Sequence, residues 1–247
     1  MADRQIEFQI LRYNPEQDAA PYWQNYTVPC DPDWVVLDAV NWIKDNVDES
    51  LSYRWSCHMA VCGSCGMMVN DEPTLSCKAF LRDYPDTIKV EALANFPVER
   101  DLVVVLDDFM EKLSSVKPYI IPKEERTAED GTYTQSPEEL KAFKQYSMCI
   151  NCLLCYAACP QVGLEEGFLG PAAIALAHRY NLDSRDVGRS AREDVITEHD
   201  GVWACSFVGA CSEVCPKSVD PAAAIQQAKI ASTVDYFKAH LMPWNSR

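Results

Sequence analysis

Between Cys149 and Pro160 four cysteines fall in one frame: Cys149-Ile-Asn-Cys152-Leu-Leu-Cys155-Tyr-Ala-Ala-Cys159-Pro160. Three thiolates at three-residue intervals suit a short loop wound around a cuboidal iron–sulfur cluster, each taking one iron. The fourth, followed by proline, leaves that loop and is directed to a different cluster. The frame recurs 56 residues later as Cys205-Ser-Phe-Val208-Gly-Ala-Cys211-Ser-Glu-Val-Cys215-Pro216, with Val208 where the second cysteine would stand. Two copies of one ligating run inside otherwise helical sequence leave few folds open.

If each run's fourth cysteine serves the other run's cluster, the ligands divide without ambiguity. Cys149, Cys152, Cys155 and Cys215 make a four-thiolate [4Fe–4S] site. Cys159, Cys205 and Cys211 supply only three thiolates, Val208 has no donor atom, and the expected centre is [3Fe–4S]. Other outcomes stay open on spacing alone: a [4Fe–4S] centre with water or a non-cysteine ligand on its fourth iron, or a second site that is empty or structural.

A third set lies upstream. Cys57, Cys62 and Cys65 follow C-x4-C-x2-C, and Cys77 completes a plant-type [2Fe–2S] arrangement. Gly63 and Gly66 let the backbone crowd the centre and turn N–H groups toward sulfur. Zinc is the competing occupant, although zinc sites favour paired C-x2-C knuckles. Cys30 alone is left over and reads as a packing residue.

The 247 residues include 12 cysteines, 48% hydrophobic and 24% charged residues, with a formal charge of -15. The chain is thus a folded protein of one or two domains, and its acidity argues against nucleic acid or anionic lipid as the main partner. A secreted disulfide framework fits poorly, because the chain is not small and its start lacks a basic stretch followed by an apolar one. No apolar run approaches the roughly 18–20 residues that span a bilayer, so the expectation is that any membrane link comes through partners. There is no Gly-rich dinucleotide fingerprint and no P-loop. His58, His178, His199 and His240 form no metal or acid–base pair in sequence. These residues describe an electron conductor with three clusters and no hydride site.

Local pattern places the runs on elements. Ile6–Ile10 alternates as a half-buried strand, Trp23–Val28 is its partner, Met67–Val69 opens a hairpin turning at Asn70-Asp71-Glu72-Pro73, and Thr87–Glu91 closes the sheet. Asp33 is expected to cap a helix through Asn46, and Asp101–Leu113 to form an amphipathic helix. Residues 123–135 read as an exposed excursion. Ser136-Pro-Glu-Glu139 is a capping box, Pro171–Tyr180 an Ala-rich helix, and Asp220-Pro221 the start of a long last helix through about Leu241.

With these residues in view, the chain resembles the iron–sulfur subunit of the fumarate reductase/succinate dehydrogenase family over nearly its whole length. Tyr53-Arg-Trp-Ser-Cys57, Cys62-Gly-Ser-Cys65-Gly-Met, Glu91-Ala-Leu-Ala-Asn-Phe-Pro-Val-Glu-Arg-Asp101 and Cys215-Pro-Lys-Ser-Val-Asp-Pro221 carry the resemblance. It implies an α+β protein: a plant-type ferredoxin (β-grasp) domain over 1–105, then an all-α, bacterial-ferredoxin-like domain over 106–247. It also implies a flavoprotein partner holding FAD, a membrane anchor that helps form a quinone site, and a place on the cytoplasmic face of the inner membrane. Electrons would pass between FAD and quinone through [2Fe–2S], [4Fe–4S] and [3Fe–4S], in either direction. Succinate dehydrogenases of this family usually carry a Trp pair after the cysteine matching Cys159 and a His after that matching Cys205. Gln161-Val-Gly-Leu-Glu165 and Ser206 stand there instead, which points to the fumarate reductase type. In that type the positions matching Ser206, Phe207, Gln226 and Lys229 lie by the quinone. The alternatives are the succinate-oxidising direction, a free multi-cluster ferredoxin or cluster subunit of an unrelated dehydrogenase, and a zinc-stabilised module.

Overall fold

Ile6, Phe8, Ile10 and Arg12 are the buried positions of β1 (Gln5–Arg12), alternating with more exposed ones as a pleated strand requires. In the computed structural model, which describes residues 4–241, β2 (Tyr22–Pro29) returns antiparallel to β1, with Phe8 opposite Tyr26 and Ile6 opposite Val28. Next come α1 (Val36–Asn46), β3 (Gly66–Val69), β4 (Glu72–Leu75) and β5 (Thr87–Glu91), and the five strands pair in the order β2-β1-β5-β3-β4. β1 and β5 run parallel; the other neighbours are antiparallel. The hairpin turn is Asn70-Asp71, both at positive φ (49° and 67°), the two-residue turn whose twist matches the flanking strands.

Val36, Ala39, Val40 and Ile43 of α1 share one core with Ile6, Phe8, Ile10, Met67, Ile88 and Val90 of the sheet. Each such side chain contributes about 1.5–3 kcal/mol on burial. Asp33 does not cap α1. The helix starts at Val36, and its first N–H groups are taken by the carbonyls of Ala79 (2.8 Å, from Val36) and Ser76 (3.1 Å, from Leu37). The Asp38 carboxylate accepts from Val35 N–H at 2.9 Å. The beginning of α1 is thereby tied to the segment that carries Cys77.

The helix expected from Asp101 also begins later. Asp101 sits at φ 47° and is buried, with its carboxylate holding Arg12 at 2.9 Å and accepting from the N–H groups of Tyr13 (3.1 Å) and Ser52 (2.9 Å). A side chain so engaged breaks the helical backbone. The chain instead makes a short ribbon of β6 (Val98–Arg100) and β7 (Val103–Val104), and α2 (Asp107–Ser115) follows.

The described residues divide into two compact units. One holds the chain to Leu106 together with Ile150–Ala158; the other holds Asp107–Cys149 and the chain from Cys159 onward. Helices dominate the second unit: α3 (Pro137–Phe143), α5 (Pro160–Leu164), α6 (Pro171–Asn181), α7 (Arg189–Ile196), α8 (Ala210–Glu213) and α9 (Pro221–Leu241), with α4 (Leu154–Ala157) belonging to the first. Ser136 and Glu139 form the reciprocal cap of α3, with Pro137 at its first turn. Ala173, Ile174 and Ala177 of α6 pack with Ile225 and Ala228 of α9 and with Val116, Phe168, Ile196 and Val202. Arg192 of α7 is fully buried, pairs with Asp186 (2.7 Å) and donates to the carbonyls of Lys117 and Tyr119, which fixes the proline-broken stretch after α2. Only Arg192 and Ile196 of α7 are buried, so it has no apolar stripe by which to be read from sequence. No helix among the described residues is long and apolar enough to cross a membrane.

Candidate iron–sulfur sites

The Cys57–Cys65 loop curls so that main-chain N–H groups face sulfur. Cys57 Sγ accepts from Met59 (3.4 Å), Val61 (3.4 Å) and Cys62 (3.3 Å), Cys62 Sγ from Cys57 (3.5 Å), and Cys77 Sγ from Ala60 (3.3 Å). Such donors stabilise the thiolate form and the charge of a bound cluster. The curl needs His58 and Ala60 in left-handed backbone (φ 55° each), a strain of order 1–3 kcal/mol per residue that surrounding contacts must hold. His58 is held by Asp38 at 2.9 Å. Burial pushes the Cys77 thiol up to about 11, and the neighbouring Cys65 sulfur adds to it. Hydrogen bonding by Ser64 and the loop N–H groups draws Cys62 down to about 6. A thiol as reluctant to ionise as Cys77 becomes a thiolate when a cation such as iron binds it.

Ser76, fully buried, donates its hydroxyl and its N–H to the Cys65 carbonyl, both at 3.0 Å, and so locks Cys65 and Cys77 into one geometry. Nothing in the sequence singles out this serine, because a hydroxyl beside a cysteine has no spacing signature. Gly63 has φ 77°, and a Cβ there would stand 2.9 Å from the Cys152 Cβ and 3.0 Å from the Ile150 carbonyl; at Gly66 it would stand 3.1 Å from the Cys152 carbonyl. These glycines therefore admit the Ile150–Leu154 segment. Asn95 holds the same segment from its other end, donating to the carbonyls of Tyr156 (2.9 Å) and Ala157 (3.2 Å).

The two later runs fold as copies. A single 3-10 turn, Tyr146–Met148 or Val202–Ala204, leads into Cys149 or Cys205. Asn151 and Leu153 in the first run and Phe207 and Gly209 in the second hold left-handed φ (51°, 68°, 59° and 89°). A short helix follows in each, α4 or α8. Val208 thus sits in the backbone frame that carries Cys152. Asp220 accepts from Ser212 Oγ (2.7 Å) and Ala223 N–H (3.0 Å), capping α9 and fastening it to α8.

The cysteines of the second unit gather in two places. Cys149 and Cys215 pack against one small cluster of Tyr146, Ala175, Val219 and Ala224, and Cys215 Sγ accepts from Val219 N–H at 3.3 Å. Cys159, Cys205 and Cys211 line a single pocket with Ser206, Phe207, Val208 and Gly209. Burial, together with the neighbouring Cys159 sulfur, pushes the Cys211 thiol up to about 11, and burial raises Cys159 as well. Three sulfurs around one space, that of buried Cys211 and those of half-buried Cys159 and Cys205, with Val208 also on its lining, suit a cluster with one corner lacking a thiolate. Of the residues expected by the quinone, Ser206 and Phe207 line this pocket, Gln226 Nε2 lies 4.0 Å from Cys205 Sγ, and Lys229 Nζ donates to the Cys205 carbonyl at 2.8 Å.

Two family models match: a 2Fe-2S iron–sulfur cluster binding domain over residues 7–111 and a 4Fe-4S dicluster domain over residues 141–216. The fumarate reductase iron–sulfur subunit of Escherichia coli O6:H1 is 58% identical over 240 residues, covering 97% of this chain and 98% of the relative. This chain belongs to the iron–sulfur subunits of the fumarate reductase/succinate dehydrogenase family. The mitochondrial succinate dehydrogenase iron–sulfur subunit of Dictyostelium discoideum is 36% identical, covering 96% of this chain and 84% of that one. The Mycobacterium smegmatis Sdh1 complex in the apo form contains a chain that superposes with a TM-score of 0.83 at 26% identity, covering 96% of this chain and 98% of that one.

As such an iron–sulfur subunit the chain is the electron-transfer component of an oxidoreductase complex, with [2Fe–2S], [4Fe–4S] and [3Fe–4S] centres of its own and FAD on its partner subunit. Within this subunit Ser76, Asn95, Asp38 and Asp220 hold the cysteine-bearing loops and their neighbours by hydrogen bonds. Cys30 is half-buried against the core of the first unit, in keeping with a packing role.

Proposed function

We propose that this subunit relays electrons between the FAD of its flavoprotein partner and a quinone, in a membrane-bound quinol:fumarate reductase/succinate:quinone oxidoreductase. The assigned ligands are Cys57, Cys62, Cys65 and Cys77 for [2Fe–2S], Cys149, Cys152, Cys155 and Cys215 for [4Fe–4S], and Cys159, Cys205 and Cys211 for [3Fe–4S]. The observation that carries the reading is the three-cysteine pocket with Val208 beside it. Residues 1–105 are read as a plant-type ferredoxin (β-grasp) domain and 106–247 as an all-α, bacterial-ferredoxin-like domain.

Exposed apolar surface supports the partners. Trp55, Met59 and Val61 are exposed around the [2Fe–2S] cysteines, a patch suited to the flavoprotein. On α9, Ile230, Val234, Phe237 and Leu241 are exposed at helical spacing, and Phe207 and Val208 add to the exposed apolar surface of the second unit. That stripe suits a membrane anchor and a subunit held at the cytoplasmic face of the inner membrane, with Ser206, Phe207, Gln226 and Lys229 in the quinone's vicinity. The departures from the succinate dehydrogenase pattern at Gln161 and Ser206 favour fumarate reduction as the physiological direction.

The test is electron paramagnetic resonance on the complex purified without air and mildly oxidised. Oxidised [2Fe–2S] and [4Fe–4S] centres are spin-paired and silent, whereas an oxidised [3Fe–4S] centre has half-integer spin. A near-stoichiometric signal is the expected result; silence with full iron content would mean two four-iron centres and would overturn the assignment.

A further inference from the structure

Tyr146 opens the 3-10 turn that leads into Cys149 and is buried in the small cluster against which Cys149 and Cys215 pack. The residue before it, Gln145, donates to the Ser218 carbonyl at 2.9 Å, and the N–H of Val219 meets Cys215 Sγ. The turn is thereby held against the segment that carries Cys215. The Tyr146 hydroxyl accepts from Gln227 Nε2 of α9 at 3.1 Å, and Gln227 Oε1 faces His178 Nε2 of α6 at 3.0 Å. An amide oxygen has no hydrogen to give, so His178 carries one on Nε2 and donates it. Burial draws the His178 pKa below its ordinary value, outweighing the bond to Gln227, and the ring is neutral. It stands edge-on to Tyr146, with ring centroids 5.1 Å apart. The hydrogen-bond chain thus runs in one direction, from His178 through Gln227 to the Tyr146 oxygen.

A phenol keeps its hydrogen at neutral pH and can accept and donate at once. Gln227 uses the oxygen as an acceptor, and among the described residues no other group bonds this hydroxyl. The Tyr146 hydrogen is left to give, in buried surroundings where an unmet donor costs about 1–3 kcal/mol. The other side chains of that cluster are Ala175, Leu182, Val219, Ala224 and the two cysteines. Sulfur is the one side-chain acceptor among them.

We propose that Tyr146 is a hydrogen-bond donor to the four-cysteine site, its hydroxyl turned by the His178–Gln227 chain so that the hydrogen goes to a sulfur on the Cys149–Cys215 side and favours the reduced centre. This rests on the ligand set proposed above. Reduction of the centre adds one electron and one negative charge, with no covalent bond made or broken. The electron comes from the relay or, in a titration, from a chemical reductant. Hydrogen bonds to the sulfurs are among the levers that set a cluster's potential, and a donor is held more strongly by the more negative state. His178 and Gln227 are then positioning residues, acting on the site only through Tyr146.

The experiment is a redox titration of the four-iron signal in the assembled complex, for wild type and Tyr146→Phe, which removes the hydroxyl and keeps the ring. The expected result is a fall of about threefold or more in the reduced-to-oxidised ratio at fixed ambient potential, equivalent to about 28 mV for a one-electron couple. The [2Fe–2S] centre of the same samples should not move. Electron–nuclear double resonance of the reduced centre in H2O and D2O should show one exchangeable-proton coupling in wild type that Tyr146→Phe lacks. An unchanged ratio overturns the proposal and gives the hydrogen to water or to Asp220, as does retention of every exchangeable coupling in Tyr146→Phe. Should Tyr146→Phe fail to assemble, His178→Phe frees the Gln227 oxygen to accept the Tyr146 hydrogen; the proposal then requires a fall in the same ratio and is overturned without one. A wild-type complex holding too little iron for a four-iron centre would instead overturn the ligand set itself.

Discussion

On the ligand set proposed above, Val208 decides the chemistry of the second run. Its neighbours Phe207 and Gly209 hold the left-handed backbone that flanks Cys152 in the first run, and Val208 itself is exposed, so a smaller thiol fits there without repacking. Val208→Cys is expected to convert the three-iron centre to a four-iron one: one more iron per subunit by elemental analysis, and loss of the oxidised paramagnetic signal. Arg12 decides something different. Its guanidinium is buried between Asp101 and Asp48 and also donates to the Tyr26 hydroxyl. Arg12→Leu leaves two carboxylates without their partner, which costs about 3–5 kcal/mol and should appear as a fall in the denaturant midpoint. Burial works against ionisation of Asp48, but hydrogen bonds from Ser50, Tyr26 and Arg12 outweigh it and hold the carboxyl below its ordinary range. A folded-state value below the unfolded one adds stability above the unfolded value of about 3.9, and that stability is lost as pH falls through and below it. Lowering the pH from 7 to 3 should therefore destabilise wild type more than Asp48→Asn, compared by urea midpoints at each pH.

Elements act here as clamps on loops. The first unit presents its cysteines on a loop and a hairpin, and α1, Ser76 and Asp38 hold these by hydrogen bonds from regular structure. Gly63 is the tightest point, because left-handed φ and the 2.9 Å approach of Cys152 both exclude a side chain. Gly63→Ala should lower the yield of intact [2Fe–2S] centre, read as loss of the reduced-state signal at equal protein; full retention of that signal would refute the packing argument. The cap of α3 is a milder case. Ser136→Ala removes an acceptor at an exposed helix start and should cost about 1 kcal/mol (range 0.5–2) with cluster content unchanged, measured as a small shift in the thermal midpoint.

At the scale of the whole molecule, the cysteine sites come with exposed apolar surface on the same units. Trp55, Met59 and Val61 are exposed on and beside the loop that carries Cys57, Cys62 and Cys65, and α9 carries the exposed stripe from Ile230 to Leu241. An electron-transfer subunit needs such surfaces close to its clusters, because its partners must bring their own redox groups near. Met59→Glu with Val61→Glu should weaken flavoprotein association at least tenfold, about 1.4 kcal/mol, while leaving the [2Fe–2S] spectrum intact. Equal co-purification of the flavoprotein would assign that patch to something else.

Cysteine spacing alone pointed to the class of chemistry and to the three ligand sets proposed above, with Val208 in place of a thiolate, because a cluster imposes its own dimensions on the few residues between ligands. Hydrophobic alternation likewise made β1, β2 and β5 legible, alanine richness made α6 so, and the Asp220-Pro221 start signal α9. The start of α1 at Val36 and the delay of α2 to Asp107 were not, since the first depends on carbonyls of Ser76 and Ala79 and the second on a carboxylate claimed by Arg12, all distant in sequence. The same holds for Gly63, whose role is the approach of a segment 87–89 residues away, and for Ser76 and Lys229, whose partners are carbonyls. A main-chain carbonyl looks the same at every position of a sequence, and only the tertiary fold selects which one a side chain will meet.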